Sequence, residues 1–86
     1  MNRAVRKLRG KVPKEWEWVL DEVKGCVEEL AGDGGRRLYE VWKQIPDKGV
    51  RRGERLSPLG QLRAMVLRLS ENWGRYTAYK RTRDVL

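Results

Sequence analysis

Apolar residues recur at helical spacing in three stretches of the chain, each with its own start and stop signals. In the first, Trp16, Val19, Leu20, Val23, Val27 and Leu30 share one face of a helix expected over residues 13–31. Pro13 suits the first helical position, where its missing N–H is not needed. Glu15 and Glu17 follow at the positive end of the helix dipole, and Gly32, Gly34 and Gly35 end the helix. In the second stretch, Leu38, Val41, Trp42 and Ile45 form a stripe over residues 34–45. Asp33 stands as N-cap, and Pro46 stops the helix because the residue before proline disfavours helical geometry. The third stretch, helix C, opens with Ser57 as N-cap and Pro58 at the first helical position. Leu59, Leu62, Val66, Leu69, Trp73 and Tyr76 then step by three and four, a heptad-like seam about five turns long. It is too short for a free-standing coiled coil and reads as one helix of a packed bundle.

Residues 46–57 read as a loop. Pro46-Asp47-Lys48-Gly49 fits a β-turn, and Arg51, Arg52 and Arg55 follow it. An extended segment between Val50 and Leu56 is an alternative, but without a second strand to pair with, no sheet is expected. Residues 1–12 form a basic arm with Arg3, Arg6, Lys7, Arg9 and Lys11 and no acid. Val5, Leu8 and Val12 are spaced as on one helix face, so the arm is either a short amphipathic helix or a frayed terminus. The expected fold is all-α. A three-helix bundle occupies residues 13–86 as a single domain, with room for a short fourth helix in the arm. Its core is Trp16, Val19, Leu20, Val23, Leu38, Val41, Trp42, Ile45, Leu62, Val66, Leu69 and Trp73.

Composition narrows the function. Twenty Lys and Arg against twelve Asp and Glu give a net charge of +8 and a pI near 10.2. That balance attracts nucleic acid or an anionic surface. Abundant Lys, Arg and Glu without His is a thermophile-like mix. No apolar run approaches the roughly 20 residues that cross a bilayer, and the basic N-terminal stretch lacks the apolar region of a signal peptide. A single cysteine, Cys26, allows no intramolecular disulfide and no cysteine-based metal cluster. A reducing compartment is therefore expected, cytoplasmic or within a nucleoprotein particle.

Catalytic chemistry finds little to work with. The chain has no His, the commonest general acid–base and metal ligand. Cys26 falls on the apolar side of the first helix and reads as a buried structural thiol. Ser57 is explained by capping, and Ser70 has no evident base. Neither the Walker nor the dinucleotide glycine pattern occurs. Gly32, Gly34 and Gly35 before Arg36 read as an interhelical turn sooner than as a phosphate cradle. No enzyme activity, cofactor or metal is expected.

Binding residues are plentiful. Arg68, Asn72, Arg75, Tyr79 and Arg83 line up along helix C beside its apolar seam. Guanidinium, amide and aromatic groups together contact phosphates and stack on unpaired bases. Beyond Tyr76 the seam turns polar at Lys80 and Asp84, so the end of the helix, including Lys80, Arg81 and Arg83, is expected to project as a basic-aromatic tip. The leading expectation is a non-catalytic protein or subunit that binds RNA or single-stranded DNA. Helix C, the Arg51, Arg52 and Arg55 loop, and the arm residues Arg3, Arg6, Lys7 and Arg9 supply its contacts. Protein contacts, to other subunits or to a second copy, are expected at Trp18, which lies about 200° from Trp16 on a helical wheel. A small-residue flank of helix C, where Gly60, Ala64, Leu67, Gly74 and Ala78 cluster, is the other expected protein contact, through Gly60, Leu67 and Gly74. The alternatives are an accessory or inhibitor module that binds protein, and a helix-turn-helix duplex binder presenting Arg36, Arg37, Tyr39 and Lys43. A membrane-surface role through the arm is weaker still.

Overall fold

The computed structural model describes residues 2–46, 51–53 and 55–85. Among them are five α-helices: α1 (Asn2–Leu8), α2 (Glu17–Glu29), α3 (Gly34–Gln44), α4 (Pro58–Glu71) and α5 (Trp73–Val85). A 3-10 turn, Lys14–Trp16, precedes α2, and two short strands, β1 (Arg51–Arg52) and β2 (Arg55–Leu56), lie between α3 and α4. The chain is an all-α bundle, as its periodicity predicts.

The basic arm takes the helical alternative. Val5, Leu8 and Val12 are buried in the same core as the other helices. After α1 the chain turns at Gly10, whose φ of 84° lies in the left-handed region that glycine enters without steric cost. The amides of Lys11 and Val12 close the turn on the Leu8 carbonyl.

The first expected helix is shorter than its apolar pattern. Pro13 opens only the 3-10 turn, and Trp16 stands at φ −114°, ψ 3°, so α2 starts at Glu17. Trp16 and Trp18 therefore do not lie on one α-helix, and the wheel angle that separates them does not apply. Their rings approach to 6.2 Å between centroids. At the other end α2 stops at Leu30, which itself adopts the left-handed conformation (φ 50°, ψ 46°). For a residue with a Cβ this costs on the order of 1–2 kcal/mol.

The glycines expected to stop α2 serve another purpose. Gly34 and Gly35 are the first residues of α3, and they lie under the indole of Trp73. A Cβ on Gly34 would overlap the ring. A Cβ on Gly35 would stand 3.1 Å from the Trp73 Cβ and 3.2 Å from the Ser70 carbonyl oxygen. Asp33 occupies the N-cap position of α3, but its side chain makes no capping hydrogen bond. Ser57 does cap α4, its Oγ accepting from the Gly60 amide at 3.1 Å.

Helix C is two helices. Asn72 (φ −108°, ψ 18°) interrupts the expected continuous run between α4 and α5. Its amide group donates from Nδ2 to the Arg68 carbonyl at 2.9 Å, and its backbone N–H reaches the same carbonyl at 3.1 Å. Asparagine side chains compete in this way for backbone partners and favour helix ends over helix interiors.

The loop before α4 also departs from expectation, since it holds a minimal antiparallel ladder. Arg51 pairs with Leu56 and Arg52 with Arg55 around Gly53 at φ 62°. The partner strand is supplied within the same short segment, not by a second stretch elsewhere. The β-turn expected at Pro46–Gly49 falls largely on residues 47–50, outside the described residues.

The expected core is buried except for Trp16 and Trp42, which are half-buried against it. Trp42 stacks on Tyr39 at 5.5 Å and is covered by the Arg63 guanidinium at 4.7 Å, so a cation takes the place of an apolar neighbour. Val5, Leu8, Val12, Cys26, Val27 and Leu59 complete the core.

Two glycine substitutions should move stability in opposite directions. Gly34→Ala forces its methyl into Trp73 and lowers the unfolding midpoint, by about 1–3 kcal/mol of overpacking. Gly74→Ala meets nothing within 4 Å, and it should gain up to about 1 kcal/mol of helix propensity. Leu62→Ala, at a fully buried position, should cost about 2–5 kcal/mol. Urea denaturation followed by circular dichroism reads all three.

Candidate functional site

The cations and aromatics of α5 divide into two groups, one anchored and one free. Because α2 ends in a left-handed residue, its last carbonyls turn toward α5. Trp73 Nε1 donates to the Ala31 oxygen at 2.7 Å, Lys80 Nζ to the Val27 oxygen and Arg81 to the Leu30 oxygen, each of the latter at 3.4 Å. Cations suit the negative end of a helix dipole. Lys80 and Arg81 are thus tied back to the body, and α5 is not a freely projecting tip. Thr77 is buried on the same side.

The other group faces solvent. Arg68, Asn72, Arg75, Tyr79 and Arg83 are all exposed, and Tyr79 keeps 68% of its surface in water. Among the described residues no ion pair forms on Arg68, Arg75 or Arg83. The basic-aromatic stripe expected on helix C is therefore solvent-facing on both sides of the break at Asn72.

The upper part of this stripe borders a groove of about 560 Å³ that sequence reading did not anticipate. Ala4 of α1 and Leu56 of β2 form its flanks. Gln61, Ala64, Met65, Arg68 and Leu69 of α4, with Asn72 and Tyr76, form the rest. Among the described residues its lining contains no carboxylate. Gln61 donates from Nε2 to the Leu56 carbonyl at 3.3 Å, tying the hairpin to α4. The one available signal was Ala64 on the small-residue flank of helix C. The flanks contributed by α1 and β2 depend on tertiary packing.

The remaining sequence-derived residues are dispersed. Arg9 pairs with Asp21 at 2.7 Å, and Arg6 lines a small polar cleft with Lys24 and Glu28. Arg3, Lys7 and Arg55 are exposed. Arg51 and Arg52 belong to β1, with side chains outside the described residues. Trp18 is 40% exposed, over a shallow depression that it shares with Arg36, Arg37, Glu40 and Gln44 of α3. Gly60 is buried and Leu67 half-buried, while a Cβ on Gly74 would meet nothing within 4 Å.

Other chemistry is sparse. Among the described residues no group of His, Cys, Asp and Glu is arranged to hold a metal, and no helix is long and apolar enough to cross a membrane. Cys26 is a free, buried thiol. Burial pushes its pKa up from the ordinary value, against the opposing charge of Arg37. A buried thiol held protonated is a poor nucleophile. Comparison with protein-family models, with curated proteins and with solved structures returned no match.

Cys26 in the native protein at pH 8 should react with a thiol reagent such as dithionitrobenzoate far more slowly than in the urea-unfolded protein. Because its folded pKa is raised, its contribution to stability is complete below the unfolded pKa. That contribution falls as pH climbs through the folded value. Equal labelling rates in the native and unfolded states would contradict this placement.

Proposed function

We propose that this protein is a non-catalytic binder of single-stranded nucleic acid, held along the outer stripe of α4 and α5. The observation that carries the reading is Tyr79, largely exposed, on a helix whose neighbouring Arg75 and Arg83 have no carboxylate partner among the described residues. An exposed ring offers a face for any base, and unpaired guanidinium groups offer charge to phosphates. Counterion release then supplies most of the affinity. RNA and single-stranded DNA satisfy the same groups. Arg3, Lys7 and Arg55 add to the positive field.

The helix-turn-helix alternative loses support. Arg37 is committed to Glu22 at 3.5 Å, Lys43 to Glu40 at 3.7 Å, and Tyr39 is stacked on Trp42. Of the four residues that would read a major groove, three are already engaged, and Arg36 alone would have to supply the readout. The exposure of Trp18 favours a separate protein contact on the α2–α3 side.

Binding of fluorescent single- and double-stranded oligonucleotides across a salt series tests the proposal. Arg75→Glu with Arg83→Glu should abolish most affinity while the fold persists. Arg75→Ala should reduce the log–log salt slope by about 0.7. Tyr79→Ala should weaken binding by about 1–3 kcal/mol with little change in slope, and Tyr79→Phe should be nearly silent. Lys80→Met should lower stability through the lost α2 contact and leave the slope nearly unchanged. A folded charge-reversal variant that binds as wild type does would remove the proposal.

A further inference from the structure

We propose that the groove between Ala4, Leu56 and Met65 receives an unpaired nucleobase from the strand lying along α5. This rests on the reading of α4–α5 as a single-strand surface, and adds to it a second, concave base site beside the exposed Tyr79. Three features support it.

The groove and the stripe are continuous. Arg68 and Asn72 belong to both, and Tyr76 lies one helical turn before Tyr79. A strand whose phosphates follow Arg75 and Arg83 passes the groove mouth. From Gln61 to Asn72 the groove runs about 16 Å along α4 at the usual helical rise, a length that spans a few nucleotides.

The lining suits a flat ring with a polar edge. Leu56, Met65 and Leu69 supply apolar surface, and a methionine thioether is a favourable neighbour for an aromatic ring. Tyr76, already tilted against Trp73 at 5.7 Å, is held in place as a wall.

The polar groups separate a base from an amphipathic helix as occupant. The Arg68 carbonyl can only accept, so Asn72 must turn Nδ2 toward it, leaving Oδ1 as an acceptor with no donor among the described residues. Gln61 is fixed in the same sense by the Leu56 carbonyl. A helix uses its backbone N–H groups internally, so it could pair these acceptors only through side-chain donors placed opposite them. A base brings amino or imino N–H donors on its edge, while the Arg68 guanidinium can donate to a base acceptor or a phosphate.

Ala64 provides the test, because it lines the groove yet is exposed. Ala64→Trp fills the groove from the solvent side without entering the core. The probes are a deoxycytidine decamer and an abasic decamer of the same phosphate count. Ala64→Trp should weaken binding of the cytidine decamer roughly five- to a hundredfold, the range of one stacked base. Binding of the abasic decamer and its salt slope should stay unchanged.

The Met65 methyl resonance of the unaltered protein gives a second readout that requires no substitution. It should shift with the cytidine decamer and not with the abasic one. Unchanged cytidine binding by folded Ala64→Trp, or a Met65 methyl unmoved while the decamer binds, overturns the proposal. So does a Met65 methyl that responds only to a Glu- and Leu-based amphipathic peptide, which would give the groove to a protein partner. If wild type binds neither decamer, the single-strand reading itself fails; if wild type prefers the cytidine decamer and Ala64→Trp keeps that preference in full, only the groove proposal fails.

Discussion

The seat of Trp73 on Gly34 and Gly35 holds the two halves of the molecule in register. The indole lies where any side chain on Gly34 would collide, and its N–H closes on the Ala31 carbonyl 42 residues earlier. One residue thereby fixes the start of α3, the end of α2 and the first turn of α5. The left-handed Leu30 follows from this arrangement. Its local cost is offset because the turn presents carbonyls to Trp73, Lys80 and Arg81 together. Cooperative satisfaction of several backbone acceptors at one joint outweighs the strain of one residue.

The parts of the fold that depend on neighbours within a turn or two were legible in the sequence. Val19, Leu20 and Val23, or Leu59, Leu62 and Val66, repeat at a spacing that only a helix buries on one side. Ser57-Pro58 marks a helix start by local chemistry alone. What escaped were decisions made by distant partners. Asn72 breaks the seam although the apolar spacing continues through it, because its side chain offers the backbone a competing partner. The Gly34-Gly35 pair resembles a flexible turn until Trp73 is laid on it. Trp16 and Trp18 appear opposed only if the helix begins at Pro13. The 51–56 hairpin supplies its own partner strand, which a search for a second strand elsewhere does not reveal.

The candidate surface divides along the same lines. The arginine–tyrosine stripe was legible because exposure and charge repeat with the helix. The division of its cations was not, since nothing local distinguishes Lys80 and Arg81 from Arg75 and Arg83. The distinction arises where the end of α2 happens to lie. Positive charge near α5 is thus divided: part closes a helix terminus, and the rest faces solvent, where the proposed function draws on it. The groove escaped altogether because residues of α1, β2, α4 and α5 together line it.

The break at Asn72 also bears on how the molecule opens. The main helix pair, α3 with α4, lies wholly on one side of it. On the other side α5 is attached, among the described residues, by the Trp73 seat, by Tyr76 against the core, by Thr77 and by two long hydrogen bonds to α2. An element with so few attachments exchanges its amide hydrogens through a local opening that leaves the α3–α4 pair intact. The helix carrying Tyr79 should then exchange as a separate cooperative unit. A strand bound along both α4 and α5 would bridge the hinge, so its arrival would register as slowed amide exchange throughout α5, well beyond the residues it touches.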